Sequence, residues 1–264
     1  MPASRPWPDV IRIEPTGVCN FRCTHCPVGV EGGKRRVLAY DEFVKFFNML
    51  PKVPRVLVLY HGGEPLLNKR LGDMIAYAKS KGVQKIKLNS NASLLTDETD
   101  ISLLDEIWFS FDGQSVEENN AIRVGSDFEK HAAAVKRLAL SDTRPTKIVI
   151  YNASNGEPAA YLQEYFKDCS VEFRGDPIRT WARVAGQPHA TNGTTHCTSL
   201  FETFTILSDG SVPMCCEDLQ GDDIQGNVYE NTPLEIWERM EERRQAFARK
   251  EYPKLCQTCW VTQA

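Results

Sequence analysis

The sequence predicts an α/β fold: a partial, TIM-like (β/α)6 barrel followed by a small C-terminal module of a β-hairpin and a helix. Two observations support this prediction. Short apolar segments alternate with amphipathic stretches along residues 10–174, which is typical of parallel strands joined by crossover helices. After residue 185 the alternation stops, and the chain becomes polar and rich in Gly, Pro and Thr.

The predicted strands are short apolar runs, such as RVLVLY at residues 55–60. They lie at residues 10–13, 55–60, 84–88, 107–111, 147–151 and 171–174. Because about eight such units close a full barrel, six predict an open one. Functional side chains are expected at the carboxyl ends of the strands.

The predicted helices are defined by their boundaries as well as by their periodicity. Residues 41–50 have an acidic first turn, residues 69–81 stop at Gly82, and residues 158–167 carry proline in the first turn. Residues 127–140 have an Ala-rich face, and residues 97–104 predict a short helix. These helices would cover the outside of the barrel.

The C-terminal part is predicted as a separate domain, with residues 1–185 forming the barrel and residues 186–264 the second domain. Residues 186–195 predict a linker. Residues 201–207 and 212–214 predict a β-hairpin around a turn at Gly210, and residues 233–249 predict a charged amphipathic helix.

The composition is that of an ordinary globular chain, with 42% apolar and 25% charged residues among 264. A net charge of −4 argues against a nucleic-acid partner. No apolar run approaches the roughly 20 residues of a membrane span, so no membrane partner is expected. Residues 1–10 contain three prolines and no apolar core, unlike a signal peptide, so a cytoplasmic location is expected.

Nine cysteines are unusual for a protein of the reducing cytosol. The odd number rules out complete pairing into disulfides. Their clustering near both ends of the chain favours metal ligation. They stand at positions 19, 23, 26, 169, 197, 215, 216, 256 and 259.

The first three cysteines form a CxxxCxxC pattern, Cys19–Cys23–Cys26, directly after the first strand. A structural zinc site needs four ligands, and no fourth cysteine follows nearby. Three thiolates can instead hold a four-iron cluster that keeps one iron open for chemistry. A zinc knuckle or scattered buried thiols are the alternatives.

This triplet resembles the radical S-adenosylmethionine (SAM) superfamily, and further motifs of that family follow in order. His61-Gly62-Gly63-Glu64-Pro65 after the second strand resembles its GGEP motif, whose backbone engages the SAM amino group. Ser90-Asn91-Ala92 stands where many members have Thr-Asn-Gly, with Ala92 in place of the usual Gly.

Three more positions resemble SAM contacts of the family. Ser110-Phe-Asp-Gly113 resembles a conserved strand end, and Arg123 resembles the arginine that pairs with the SAM carboxylate. His25 occupies the position, usually aromatic, that lies against adenine. For Asn91 and Arg123, a plain turn or surface role is the alternative.

The resemblance implies a specific chemistry. SAM would chelate the open iron, and reductive cleavage would yield a 5′-deoxyadenosyl radical that abstracts a substrate hydrogen. The resemblance also implies a flavodoxin or ferredoxin as electron donor.

The remaining pattern, CX12GX4C…CX2C, resembles the twitch domain, the short form of the SPASM extension of this superfamily. By that resemblance Cys197, Cys215, Cys256 and Cys259 hold an auxiliary [4Fe-4S] cluster. A structural zinc ion at the same four positions is the alternative.

Two cysteines then remain. Cys169, between a helix and a strand, is expected to pack in the interior. Cys216 follows a predicted ligand, and adjacent residues of an extended strand point to opposite faces. Since several radical SAM epimerases return hydrogen from such a thiol, Cys216 is a candidate hydrogen donor; space filling or tuning of the cluster are the alternatives.

Two nearby groups are candidates for holding a substrate. Glu217 matches an acidic residue that holds substrate hydroxyls in the 2-deoxy-scyllo-inosamine dehydrogenase, a twitch enzyme of similar size. Arg174 and Arg179 follow the sixth strand and would face the same mouth. Solvated loop charges are the default interpretation of all three.

We therefore expect a radical SAM enzyme that acts at a carbinol carbon of a sugar or aminocyclitol and epimerises it through Cys216. Two-electron oxidation is the first alternative, and peptide modification, with no leader-binding module expected in this chain, is the second. A non-enzymatic cluster carrier would not need the motifs of residues 61–65 and 110–113. Cofactor-precursor synthesis, as in the molybdenum-cofactor enzymes, is disfavoured by the fourth auxiliary ligand.

Overall fold

The computed structural model of the chain describes residues 5–32, 36–178 and 190–262. Its centre is a seven-stranded sheet in which every neighbouring pair is parallel. In chain order the strands are β1 (Val10–Ile13), β2 (Val56–Val58), β3 (Lys85–Ser90), β4 (Glu106–Asp112), β5 (Lys147–Ser154), β6 (Glu172–Pro177) and β7 (Thr203–Ile206). They are arranged as β6-β5-β4-β3-β2-β1-β7. The prediction of a partial, TIM-like α/β barrel is therefore confirmed.

Helices connect the strands as crossover units. Within the described part of the chain they span Pro27–Glu31, Tyr40–Asn48, Leu71–Ser80, Val116–Ile122, Phe128–Leu140, Ala160–Tyr165, Thr198–Phe201, Pro233–Arg239 and Glu241–Ala248. Their first turns are fixed by side-chain caps where the sequence supplies them: Asp127 accepts from the Lys130 amide, and Thr232 forms a capping box with Glu235. The core lies between these helices and the sheet, and it includes the fully buried Ile11 and Phe43.

Two helix predictions differ from the structure. Residues 97–104 form turns, because Thr96 and Thr99 hydrogen-bond to each other through their own side chains and backbone. The helix predicted at 233–249 is divided at Met240. There the buried Arg244 donates to the carbonyl of Trp237 at 2.9 Å.

The predicted β-hairpin is built from other strands than expected. Thr203–Ile206 pairs in parallel with β1 and so extends the barrel sheet. All four of its residues are buried, with Phe204 and Ile206 at 0% exposure, which suits a sheet with both faces covered. The antiparallel hairpin joins β8 (Ser211–Pro213) to β9 (Ile224–Asn227).

The predicted boundary between residues 185 and 186 lies outside the described residues, so the two-domain division stays a prediction. The part of the predicted linker that is described connects to the chain end, since the Asn192 amide donates to the Thr262 carbonyl at 2.8 Å. In the described ranges, no helix is both long and apolar enough to cross a membrane.

Candidate active site

A cavity of about 400 Å³ opens at the carboxyl ends of the barrel strands. It brings together side chains that follow different strands, as a parallel α/β sheet allows. The sequence-predicted residues among its lining are Cys19, Cys23, His25, Cys26, Gly62, Gly63, Glu64, Asn91, Ser110, Arg123, Arg174, Cys216 and Glu217. Every predicted SAM contact, all three cysteines of the first cluster and all three predicted catalytic residues thus share one cavity.

The first cysteine loop is held by close backbone packing. Cys23 pairs with Arg123 in a short antiparallel ladder, and Cys26 precedes the helix Pro27–Glu31. A Cβ atom on Gly29 would lie 2.3 Å from the carbonyl oxygen of Cys23. Only glycine lets this helix approach the loop so closely, a requirement that the sequence analysis missed.

The backbone of the glycine motif at residues 62–63 is packed equally closely. A Cβ on Gly63 would lie 2.3 Å from the carbonyl oxygen of Thr16, so this position also needs glycine. The Glu64 carboxylate is buried and accepts hydrogen bonds from the Ser90 hydroxyl at 2.8 Å and from the Asn91 amide at 2.7 Å. Burial raises the pKa of Glu64, although these donors oppose the shift. Glu64 therefore ties the glycine motif to the end of β3.

Two amide side chains at the end of β3, those of Asn89 and Asn91, line the cavity. Asn91 donates to Asn20 at 3.0 Å and lies 4.0 Å from the Cys19 sulfur. Ala92 has a left-handed φ of 64°, which explains why glycine is usual at this place in the family pattern. Ser110 donates to Asn89 at 2.8 Å.

Arg123 is almost completely buried and pairs with Asp112 at 2.8 Å. Burial opposes its charge, but Asp112 and Cys23 raise the pKa of Arg123 above its ordinary value. The His25 ring lies 3.9 Å from the same carboxylate, and burial lowers the pKa of His25. The arginine predicted to pair with SAM thus has a protein carboxylate as one partner.

These residues fit SAM and a cluster bound by three thiols. Among the described residues, the buried Arg123 Nε and His25 Nδ1 have no hydrogen-bond partner. Buried polar atoms are normally satisfied, so two such atoms beside three thiols indicate a polar ligand. The backbone at Gly62 and Gly63 is open to close approach of that ligand.

Each of the four predicted auxiliary ligands lies within electrostatic range of at least one other. Electrostatic interactions connect Cys215 with Cys256, and Cys197 with both Cys256 and Cys259. Burial raises the pKa of Cys256 and of Cys259 to about 12. Such thiols lose their protons when a metal ion supplies the compensating charge.

Four neighbouring thiols suit zinc as well as an iron–sulfur cluster by their donor chemistry. Within residues 5–32, 36–178 and 190–262, no three His, Cys, Asp or Glu side chains are close enough to hold a single metal ion. All nine cysteines lie in the described residues, and none of them forms a disulfide bond.

The two remaining cysteines differ in surroundings. Cys169 is half-buried and packs against the core, as expected. The Cys216 sulfur lies 3.0 Å from the Ser199 hydroxyl and lines the cavity. Cys215 and Cys216 follow β8 in a turn rather than on a strand, so the expected strand alternation was wrong. Cys216 lies within electrostatic range of Cys215, Cys197 and Cys259.

Of the three predicted substrate-holding residues, Glu217 and Arg174 line the cavity. Arg174 lies 5.3 Å from the Trp108 ring while donating to Asp176 at 3.3 Å. Asp218, which follows Glu217, is buried and accepts from the Asp222 and Asp223 amides, which gives it a structural role. Arg179 lies outside the described residues.

Several lining residues escaped the sequence analysis because they belong to no motif. They are Arg12, Tyr60, Asn89, Trp108, Tyr151, Asp176 and Trp260, whereas His61 and Asp112 stand inside the quoted motifs without an assigned role. One available signal was a charged or aromatic residue at alternate positions of a strand, such as Arg12 within VIRI or Trp108 within EIWFSFD. Those positions face the barrel interior.

Comparison with known families gives two matches. The radical SAM superfamily matches residues 13–169, and the iron–sulfur cluster-binding SPASM domain matches residues 197–260. The chain belongs to the radical SAM superfamily. Its cofactors are accordingly SAM and a [4Fe-4S] cluster, with an auxiliary iron–sulfur cluster in the SPASM region.

Curated relatives share less than a third of their residues with this chain over the longer alignments, as one example shows. The chain is 28% identical over 177 residues to the GTP 3',8-cyclase of Hydrogenovibrio crunogenus, which covers 63% of this chain and 53% of the relative. The chain thus spans about half the length of this curated relative.

Solved structures share the fold over nearly the whole chain. BtrN in complex with AdoMet and 2-DOIA superimposes with a TM-score of 0.62 at 14% identity, covering 97% of this chain and 94% of BtrN. Native anSMEcpe with bound AdoMet and Cp18Cys peptide superimposes with a TM-score of 0.61 at 18% identity. The match covers 95% of this chain and 86% of anSMEcpe. At these identities the likeness establishes the fold.

Proposed function

We propose that this radical SAM enzyme epimerises a carbinol carbon of a sugar or aminocyclitol, with Cys216 as the hydrogen donor. The observation that carries the proposal is that Cys216 lines the same cavity as Cys19, Cys23 and Cys26. A thiol so situated has access to a substrate carbon activated at the first cluster.

The cofactor half of the cavity would hold SAM through the backbone at Gly62 and Gly63 and through Asn91, Ser110 and Arg123, with His25 against adenine. Cys19, Cys23 and Cys26 would hold the first cluster. When bound, SAM and this cluster supply the radical that removes a hydrogen atom from the substrate. The protein's part is to hold both partners in register and to exclude water.

Cys216 would complete the inversion. Its S–H bond breaks, and the hydrogen atom forms a new C–H bond on the face of the substrate carbon opposite to the one that lost hydrogen. The sulfur radical left behind regains a thiol by taking up one electron and one proton. A flavodoxin or ferredoxin would provide that electron. Ser199, whose hydroxyl lies 3.0 Å from the sulfur, would orient the thiol.

The rest of the cavity suits a ring that carries hydroxyl groups. Glu217 and Asp176 offer carboxylate acceptors, and Arg174 offers donors. The Trp108 ring can pack against the apolar face of a sugar or cyclitol ring. Its orientation is fixed by a 2.6 Å hydrogen bond from its Nε1 to Glu106.

Two-electron oxidation of the same carbon is the second candidate. It is favoured by the likeness to BtrN, whose structure contains 2-DOIA and matches this chain almost end to end. In this case the substrate carbon loses a second electron and a proton to become a ketone, and Cys216 stays a thiol. Cys197, Cys215, Cys256 and Cys259 would hold the electron acceptor.

Peptide modification and nucleotide cyclisation are further candidates, suggested by the names of the relatives. The two reactions at a carbinol carbon, epimerisation and oxidation, can be separated in one assay. The reconstituted enzyme is incubated anaerobically in deuterated buffer with SAM, a reductant and a panel of aminocyclitols and amino sugars. Epimerisation predicts an inverted product with one deuterium at the inverted carbon. A ketone product, or an inverted product without deuterium, would contradict the proposal.

A further inference from the structure

Arg12 is a cation of the cavity lining that has no role in the proposed reaction. It lies in the middle of β1, with its side chain directed away from the fully buried neighbours Ile11 and Ile13. Its guanidinium stacks over the Tyr60 ring at 4.8 Å and donates from Nη1 to the Tyr60 carbonyl at 3.1 Å. These contacts fix the plane of the guanidinium and leave part of its edge unused.

Arg12 forms no salt bridge at contact distance with a described carboxylate, although Glu217 lies within electrostatic range. Arg123 is paired with Asp112, and Arg174 is paired with Asp176. For Arg12, no carboxylate oxygen of the described residues lies within 4.0 Å. Its Nε atom is buried and lacks a hydrogen-bond partner in the described part of the chain.

A buried donor such as the Arg12 Nε is costly when it has no acceptor, because a polar atom removed from water needs a compensating contact. Such a cost is tolerated where a ligand supplies the missing partner. Guanidinium groups suit carboxylates and phosphates in particular, since their planar donors bind two oxygens at once.

The position of Arg12 indicates that the missing partner is a group of the substrate rather than of SAM. Arg12 lies within electrostatic range of Cys216 and Glu217, the two residues assigned to the substrate. Arg123, by contrast, lies within range of Cys19 and Cys23 on the cofactor side. The two arginines therefore serve different parts of the cavity.

We propose that Arg12, seated on Tyr60, is the binding subsite for an anionic group of the substrate, a phosphate ester or a carboxylate. This proposal rests on the proposed function and narrows it: the sugar or cyclitol is an acidic one. The anion would fix the end of the substrate remote from SAM, and the carbinol carbon would be held between the first cluster and Cys216.

The test uses inorganic phosphate and acetate as probes and does not require turnover. The reconstituted enzyme, with oxidised clusters and SAM bound so that the cofactor half is filled, is titrated with each anion by calorimetry. Wild-type protein is expected to bind at least one of them, and Arg12→Gln to bind it at least about tenfold more weakly, equivalent to about 1.4 kcal/mol. A preference for phosphate indicates a phosphate ester, and a preference for acetate indicates a carboxylate.

A matched control is Arg70→Gln, since Arg70 also stacks on a tyrosine, Tyr40, at 4.6 Å, but on the surface. It should bind both anions like wild type. Arg12→Lys, which keeps the charge without the planar donors, should be intermediate. Iron content and SAM affinity verify that each variant is folded.

Equal anion affinity in wild type and Arg12→Gln would overturn the subsite, as would a wild-type enzyme that binds neither anion. Because these measurements involve no product, they fail or succeed independently of the deuterium experiment that tests epimerisation.

Discussion

The carboxylate of Glu14 accepts hydrogen bonds from both the amide and the hydroxyl of Ser208, at 3.0 and 2.9 Å, although the two residues are 194 positions apart. Its other oxygen accepts from the Gly62 amide at 3.2 Å. Glu14 is completely buried at the end of β1. One side chain therefore joins the glycine motif of the SAM site to the turn that precedes β8 and the auxiliary cysteines.

Replacing Glu14 by Ala should weaken both regions. The Gly62 amide and the two Ser208 donors would lose their acceptor, at a cost of roughly 1–3 kcal/mol for each buried group left unsatisfied. We expect a lower free energy of unfolding by urea denaturation and a several-fold weaker affinity for SAM. Glu230→Gln, at an exposed position, is the control. Unchanged stability and SAM affinity in Glu14→Ala would show that the contact is not needed.

Gly29→Ala should prevent assembly of the first cluster. The new methyl group would stand 2.3 Å from the Cys23 carbonyl oxygen, so the helix or the cysteine loop must move. Iron analysis after reconstitution should show loss of about four irons per chain. Gly72→Ala, in the helix Leu71–Ser80 and away from the cysteines, should keep its iron. Full iron loading of Gly29→Ala would refute this packing argument.

The auxiliary site gives a second iron prediction. Wild-type protein should contain about eight irons per chain, and Cys256→Ala about four, if each site holds a four-iron cluster. Cys169→Ala should keep all eight, since Cys169 packs against the core outside both sites. Four irons with one zinc in wild-type protein would exclude the auxiliary cluster.

Glu106 at the barrel floor predicts a pH dependence of stability. Burial alone would raise the pKa of Glu106, but hydrogen bonds from Lys85 and Trp108 and the charge of Lys87 lower it to about 2. Since the folded pKa is depressed, the stabilisation is fully present above the unfolded pKa of 4.5 and is lost as the pH falls toward 2.

We therefore expect Glu106→Gln to cost roughly 1–2 kcal/mol at pH 7, measured by urea denaturation, and the difference from wild type to shrink below about pH 5. Glu164→Gln, which removes an exposed pair with Lys167, should cost less than about 1 kcal/mol. A cost for Glu106→Gln that stays constant down to pH 3 would contradict the assignment.

The sequence located the residues that the structure brings together in the predicted cofactor half of the cavity, because they stand in contiguous motifs at or just after strand ends. Cys19, Gly63 and Ser110 could be located this way, and the parallel sheet then brings them together. The substrate half was only partly predictable. Arg12 and Trp108 lie inside apolar strands, where a single charged or aromatic residue gives no motif.

The fold predictions that were wrong also have physical reasons. Thr203–Ile206 was assigned to a hairpin because a glycine turn follows it, but the burial of Phe204 and Ile206 favours the barrel sheet. Local pairing cannot reveal that β1, almost two hundred residues earlier, offers a free edge to this strand. Long-range partners of this kind are the part of the fold that short-range patterns do not encode.

The hydrogen-donor role proposed for Cys216 distinguishes epimerisation from oxidation, so Cys216→Ala tests the central claim most directly. The variant should still cleave SAM to 5′-deoxyadenosine in the presence of substrate, because the cofactor half of the cavity is untouched. It should form no inverted product, since the carbon radical has lost its hydrogen donor. Cys169→Ala, which removes a thiol outside the cavity, should turn over like wild type. Retention of full product formation by Cys216→Ala, measured by mass spectrometry in the same anaerobic assay, would contradict the account.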